Sequence, residues 1–164
     1  MTSSEALVQV YLDRLRGADR EAADKFKDDL ASRNLAPKTF VRYLKEVVGF
    51  QQWLGRPLTE ATADDLRNYV RHMFDRGLAP YSVRVSTVIL KLFLARWMRK
   101  EDVKSVKAPK ADRPIPKPLT EEEVIRIIRV GSTPYEKAMI AVLYEGGLRL
   151  GELEGIKIGD VEVD

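Results

Sequence analysis

Near the C-terminal end, Tyr144-Glu145-Gly146-Gly147-Leu148-Arg149-Leu150-Gly151-Glu152-Leu153 holds the residues best suited to chemistry. Paired glycines end the apolar-periodic segment from Lys137 to Glu145 and a new one starts at once, which predicts Arg149 in the first turn of a helix. A helix start already carries partial positive charge and free N–H groups, so a guanidinium there needs an anion or a carboxylate beside it. Two readings meet that need. Glu152, three residues on, can supply the carboxylate in a surface pair. Alternatively, Arg149 is a functional arginine that faces an anion there.

Two further groups of side chains have polyanion chemistry. Read as a helix, Lys38 to Leu54 places Lys38, Arg42, Lys45, Gly49 and Gln52 in one narrow arc, with Phe40, Tyr43, Leu44, Val47, Val48, Phe50 and Leu54 opposite. Gly49 in the basic arc leaves room for another backbone to approach. The segment from Pro80 to about Lys100 is apolar on most sides through Val83, Val85, Val88, Ile89, Leu92, Phe93, Leu94, Trp97 and Met98, which predicts a central helix. Its exception is a stripe of Arg84, Thr87 and Lys91. Each stripe is either a solvated face or a surface that rests on nucleic acid.

Composition narrows the classes. The net charge is +3 over 164 residues, from 28 Lys and Arg against 25 Asp and Glu. The basic surplus concentrates between Arg76 and Lys110, where Arg84, Lys91, Arg96, Arg99, Lys104 and Lys107 are opposed only by Glu101 and Asp102. There is no cysteine, so no disulfide frame or thiolate metal site is available, and His72 alone makes no histidine cluster. No metal and no cofactor is expected. The charged N-terminal segment is no signal peptide and no run approaches a membrane span, so a soluble, cytoplasmic protein is expected.

The elements that position these residues read as helices. Ser4 to Leu15 forms a first helix, short and terminal enough to be a mobile arm, ending near Gly17. Asp19 to Ser32 forms a second, and the basic helix Lys38–Leu54 a third. Thr62-Ala63-Asp64-Asp65 resembles a capping box for a fourth helix, to about Arg76. Pro80 opens the fifth. Between 101 and 118, Lys104, Lys107, Lys110, Arg113 and Lys117 alternate with Pro109, Pro114, Pro116 and Pro118, which predicts an extended linker, either a spacer or a basic strap along a phosphate backbone. Thr120 with Glu123, and Thr133 with Pro134, open two more helices. Residues 156–163 turn toward alternation, as at the start of a strand.

Two resemblances join these parts. Gly147-Leu148-Arg149-Leu150-Gly151-Glu152-Leu153, with Ile156 and Asp160 beyond, resembles the first catalytic motif of the tyrosine recombinase (phage integrase, Xer-like) family, Thr-Gly-Leu-Arg-x-x-Glu-Leu. Asn34-Leu35-Ala36-Pro37-Lys38-Thr39 and Gly77-Leu78-Ala79-Pro80-Tyr81-Ser82 resemble the turns that lead into the two DNA-contacting helices of that family's core-binding domain. Leu119-Thr120-Glu121-Glu122-Glu123 is similar to the opening of its catalytic domain. The similarity spans roughly Ala22 to Asp160. Gly146 and Gly151 depart from the usual Thr and frequent Ser.

The resemblance implies a mainly all-α chain. Residues 1–100 would form a helical SAM-like core-binding domain of four to five helices, 101–118 a basic linker, and 119–164 an incomplete, mostly helical opening of the catalytic domain. It implies double-stranded DNA as partner, association with the nucleoid, copies assembling on DNA, Arg149 on the scissile phosphate and Glu152 in support. Lys38, Thr39, Arg42, Lys45, Arg84, Thr87, Lys91, Lys107 and Lys110 are the expected DNA contacts. The family's nucleophilic tyrosine comes after the arginine motif, and none of Tyr11, Tyr43, Tyr69, Tyr81, Tyr135 and Tyr144 stands there, so these residues alone are expected not to cleave DNA. Two other classes fit the sequence: a non-cutting regulator that occupies recombination sites, and a helical protein-interaction domain with an incidental basic surface.

Overall fold

The computed structural model describes residues 3–112 and 116–160, and the chain divides into two compact units, Met1–Arg113 and Pro114–Asp164. Among the described residues five α-helices build the first unit: α1 (Ser3–Leu12), α2 (Gly17–Ser32), α3 (Pro37–Leu54), α4 (Ala63–Asp75) and α5 (Pro80–Arg96). No strand occurs among the described residues, so the chain is all-α there.

Local chemistry sets the helix starts. α3 and α5 begin on a proline whose fixed φ suits the first turn and whose missing N–H costs nothing there. α4 begins with a capping box: Asp65 N donates to Thr62 Oγ1 at 3.2 Å and Thr62 N donates to Asp65 Oδ2 at 2.9 Å. Arg56 adds a 2.6 Å hydrogen bond to the same carboxylate oxygen. Burial alone would push the Asp65 carboxyl up, but the Thr62 hydroxyl and backbone N–H together with Arg56 outweigh it, and its pKa lies below the ordinary value.

The core of this unit forms where the apolar faces of α2, α3, α4 and α5 meet, through Phe26, Leu44, Val47, Phe50, Leu66, Leu90 and Phe93. Phe26 sits at its aromatic centre, with ring centroids 4.6 Å from Trp97, 5.4 Å from Phe93 and 5.8 Å from Tyr43. Such pairs add about 0.5–1.5 kcal/mol each beyond burial. Asp19 is buried at the start of α2, where both carboxylate oxygens accept from Leu58 N at 3.0 Å and pin the short 3₁₀ turn Leu58–Glu60. Burial pushes its pKa up against the pull of the Leu58 and Thr59 N–H groups.

Four expectations change. The first helix is no mobile arm: Val8 and Leu12 on α1, and Leu15 just after it, are buried in the core, with α1 lying against α3. Gly17, at φ +52°, opens α2 as its first residue. Val88 and Leu92 of the central helix are exposed, not inward. Most consequential is the segment read as the start of the linker. Glu101–Ser105 is a 3₁₀ helix that packs on α4 and α5, and Val103 and Val106 join the core. Asp102 Oδ2 accepts from Ala63 N at 2.7 Å and Arg67 reaches Ser105 Oγ at 3.1 Å, so residues 101–110 form a strap docked through 101–106. Two apolar side chains outweighed a basic composition. Arg113 and Pro114 of the expected linker lie outside the described residues.

The second unit contains α6 (Glu121–Val130), α7 (Pro134–Glu145) and α8 (Leu150–Leu153). Capping boxes open α6 through Thr120 and Glu123 and α7 through Thr133 and Glu136. α6 packs on α7, with Val124 buried, and Leu119, Ile127, Ile140 and Leu143 line an open apolar groove. Where the start of a strand is expected, Ile158–Asp160 is a 3₁₀ turn, its Lys157 N–H donating to Asp160 Oδ2 at 2.9 Å; residues 161–163 lie outside the described residues. Among the described residues no helix is long and apolar enough to cross a membrane.

Candidate nucleic-acid interface

Because α3 and α5 both start after an Ala-Pro turn and pack together, their first turns share one side of the fold. Lys38, Thr39 and Arg42 from α3 and Arg84 from α5 line a single groove of about 480 Å³, together with Tyr43, Tyr81, Val85, Val88 and Ile89. Among the described residues no carboxylate lines it. Neither helix has a side-chain cap, in contrast to the capping boxes of α4, α6 and α7, so first-turn N–H groups and the positive dipole ends add to the cationic rim.

The remaining expected contacts fall elsewhere. Lys45 lines a second, more polar groove of about 450 Å³ with Arg14, Gly49, Gln52, Tyr69 and Arg76. There a Cβ on Gly49 would meet the Tyr69 hydroxyl at 3.4 Å, so the group that approaches this glycine is a tyrosine of the same fold. Burial raises the Tyr69 pKa, nearby Glu46 raises it further, and Arg76 opposes both.

Thr87 is corrected outright: it is 0 % exposed, and its hydroxyl donates to Val83 O at 2.7 Å within α5. A residue without accessible surface contacts no DNA. The docked strap explains why, because it covers that side of α5. Lys91 faces the strap too; its Nζ donates to the carbonyl oxygens of Lys104, at 3.2 Å, and Val106. Arg84 stays exposed while donating to Pro109 O at 3.1 Å, and Lys107 and Lys110 on the strap are exposed. Residues that sequence reasoning passed over also belong to these grooves, among them Tyr81 and Val88 beside Arg84, and Arg14 beside Lys45. The i, i+3, i+7 spacing of Tyr81, Arg84 and Val88 was the available signal for the first two.

In the second unit Arg149 is the N-cap of α8, with its side chain 87 % exposed. Glu152 accepts twice from it, Oε2 from the backbone N–H at 2.8 Å and Oε1 from the guanidinium at 2.9 Å, and these bonds hold the Glu152 pKa below its ordinary value. The surface pair therefore exists. It leaves other guanidinium N–H groups for an anion. Gly147 before it adopts φ +58°, open to glycine at little cost. At Gly146 a Cβ would stand 2.9 Å from Val142 O, so the family's Thr has no room in this backbone.

One unit thus carries a cationic groove at the uncapped starts of two helices, and the other presents an arginine at a helix cap. Residues 23–104 match the phage integrase N-terminal SAM-like domain, and the chain belongs to the tyrosine recombinase family. It is 31 % identical over 163 residues to tyrosine recombinase XerD of Yersinia pestis, covering 91 % of this chain and 54 % of the relative. To tyrosine recombinase XerA of Thermococcus kodakarensis it is 26 % identical over 146 residues, 88 % of this chain and 50 % of the relative. Tyrosine recombinase XerC of Psychromonas ingrahamii is 25 % identical over 154 residues, 85 % of this chain and 52 % of the relative. The chain thus spans about half the length of the curated relatives it matches.

Proposed function

We propose that these residues are the DNA-holding part of a site-specific tyrosine recombinase, in which the α3/α5 groove grips duplex DNA for recombination or integration. One observation carries the reading: Lys38, Thr39, Arg42 and Arg84, drawn from two helices far apart in sequence, line one groove that no carboxylate among the described residues enters. Lys38, Arg42 and Arg84 serve as phosphate donors, and Lys107 and Lys110 extend the basic surface along the strap. Lys45 contributes from the neighbouring groove. Lys91 keeps the strap in place, a positioning role.

Arg149 is proposed as a clamp for the scissile phosphate, with Glu152 orienting it. A guanidinium binds and neutralises a phosphate but provides neither nucleophile nor leaving-group acid, so these 164 residues alone should bind without cutting. The protein is proposed to work in the cytoplasm, on the nucleoid, with copies meeting on DNA.

Fluorescence anisotropy with labelled random duplex at two salt concentrations, beside single-stranded DNA, tests this. Several phosphate contacts predict a loss of affinity by orders of magnitude over a fourfold rise in salt. Binding that ignores salt, or no binding at low salt, would sink the proposal. A covalent DNA adduct with this chain would sink the expectation of inactivity.

A further inference from the structure

We infer that Val88, flanked by Tyr81 and Val85, is a thymine-methyl reader: it contacts the C5-methyl group of thymine in the major groove of a duplex seated in the α3/α5 groove. The inference rests on the duplex-binding reading above and deepens it. Val88 is 50 % exposed and Tyr81 45 %, whereas Val83, Ile89, Leu90 and Phe93 of the same helix are buried. The core does not use these two side chains. Isolated exposed apolar residues are ordinary, but these lie in one groove with Lys38, Arg42 and Arg84 around them and no carboxylate among the described residues.

That pairing selects the occupant. A cationic rim attracts a polyanion, and phosphate donors alone cannot tell one base pair from another. An apolar side chain between the donors adds nothing to phosphate binding. It discriminates only where the ligand presents an apolar group, and the major-groove edge presents one, the thymine C5-methyl, which cytosine, adenine and guanine lack. Arg84 precedes Val88 by four residues and so stands one turn away on the same face, placing the cation and the apolar reader on one helix surface.

The test compares an alternating A/T duplex with the same duplex carrying uracil for every thymine, which removes the methyl and keeps the hydrogen-bonding edge. Anisotropy titrations of the full chain should show roughly three- to fourfold weaker binding to the uracil duplex per methyl contacted. Val88→Ser should bring the thymine-to-uracil ratio close to one while keeping the helical circular dichroism and the salt slope, and the isosteric Val88→Thr should fall between. Any change of duplex shape on removing the methyl acts equally on all three proteins, so comparing the ratios isolates Val88. Equal ratios in wild type and Val88→Ser, with salt-sensitive binding intact, overturn the methyl reader alone. Absence of salt-sensitive binding to either duplex overturns the duplex reading and this inference together.

Discussion

The Arg84 guanidinium donates to the carbonyl oxygen of Pro109 across 3.1 Å, tying a cation of the α3/α5 groove to the strap that leaves the domain. Lys91, two turns along α5, holds the same strap at Lys104 and Val106. Groove and strap are thus one assembly, and its parts can be loosened separately.

Lys91→Met keeps the aliphatic stem and removes the donors. Hydrogen bonds from charged groups contribute about 1.5–3 kcal/mol when buried, and half-exposure at Lys91 reduces this to about 1 kcal/mol. We expect a Tm lower by a few degrees and faster tryptic cleavage at Lys104 and Lys107, with duplex affinity changed by less than about threefold. Unchanged cleavage kinetics would show that Val103 and Val106 alone hold the strap.

Thr87→Val should leave duplex affinity and its salt slope untouched, since the hydroxyl is buried against Val83 O. A clear loss of affinity in a variant that melts like the wild type would restore Thr87 as a contact.

The starts of α3, α4, α5, α6 and α7 were legible because each is written in local chemistry: Pro37 and Pro80 at first turns, Thr62 with Asp65, Thr120 with Glu123, Thr133 with Glu136. The basic arc of α3 was legible because apolar residues fill its opposite side. What the periodicity of α5 did not show was which of its sides another segment covers. Thr87 and Lys91 share an arc with Arg84, yet Val103 and Val106, two valines within a lysine- and proline-rich stretch, bring the strap over that arc and leave Val88 outside. The docking of α1 was hidden for the same reason, because tertiary burial decides whether a short terminal helix is an arm.

Two carboxylates give opposite pH signatures. The Asp65 pKa lies below its ordinary value of 3.8, so its stabilisation is present above that value and is lost as pH falls through the depressed one. The Asp19 pKa lies above 3.8, so its contribution is largest below that value and fades as pH rises through the raised one. The Tm difference between wild type and Asp65→Asn, about 1 kcal/mol in stability near neutrality, should shrink on going to acid. That between wild type and Asp19→Asn should widen. Thermal melts followed by circular dichroism across the acid range check both signs.

Gly49→Ala introduces a Cβ at ordinary contact distance, 3.4 Å, from the Tyr69 hydroxyl. Relief of glycine's helix penalty, about 0.5–1 kcal/mol, should raise Tm. Affinity should hold, because Tyr69 occupies the approach. A variant that melts higher but binds duplex much more weakly would place DNA backbone against this glycine.

Arg149→Ala should leave equilibrium affinity for intact duplex nearly unchanged, as expected for an exposed guanidinium paired with Glu152 and remote in sequence from the groove. A tenfold loss would show that Arg149, and not the groove alone, carries a large share of duplex affinity in these residues.

The most direct test of the groove is the salt slope of duplex binding for wild type and for Arg42→Ala/Arg84→Ala. Each lost phosphate contact reduces the slope of log K against log salt by about 1, so the double variant should show a slope shallower by about 2, with weaker binding across unrelated sequences. The same slope in both proteins, with folding intact, would contradict the assignment of this groove as the DNA-holding surface.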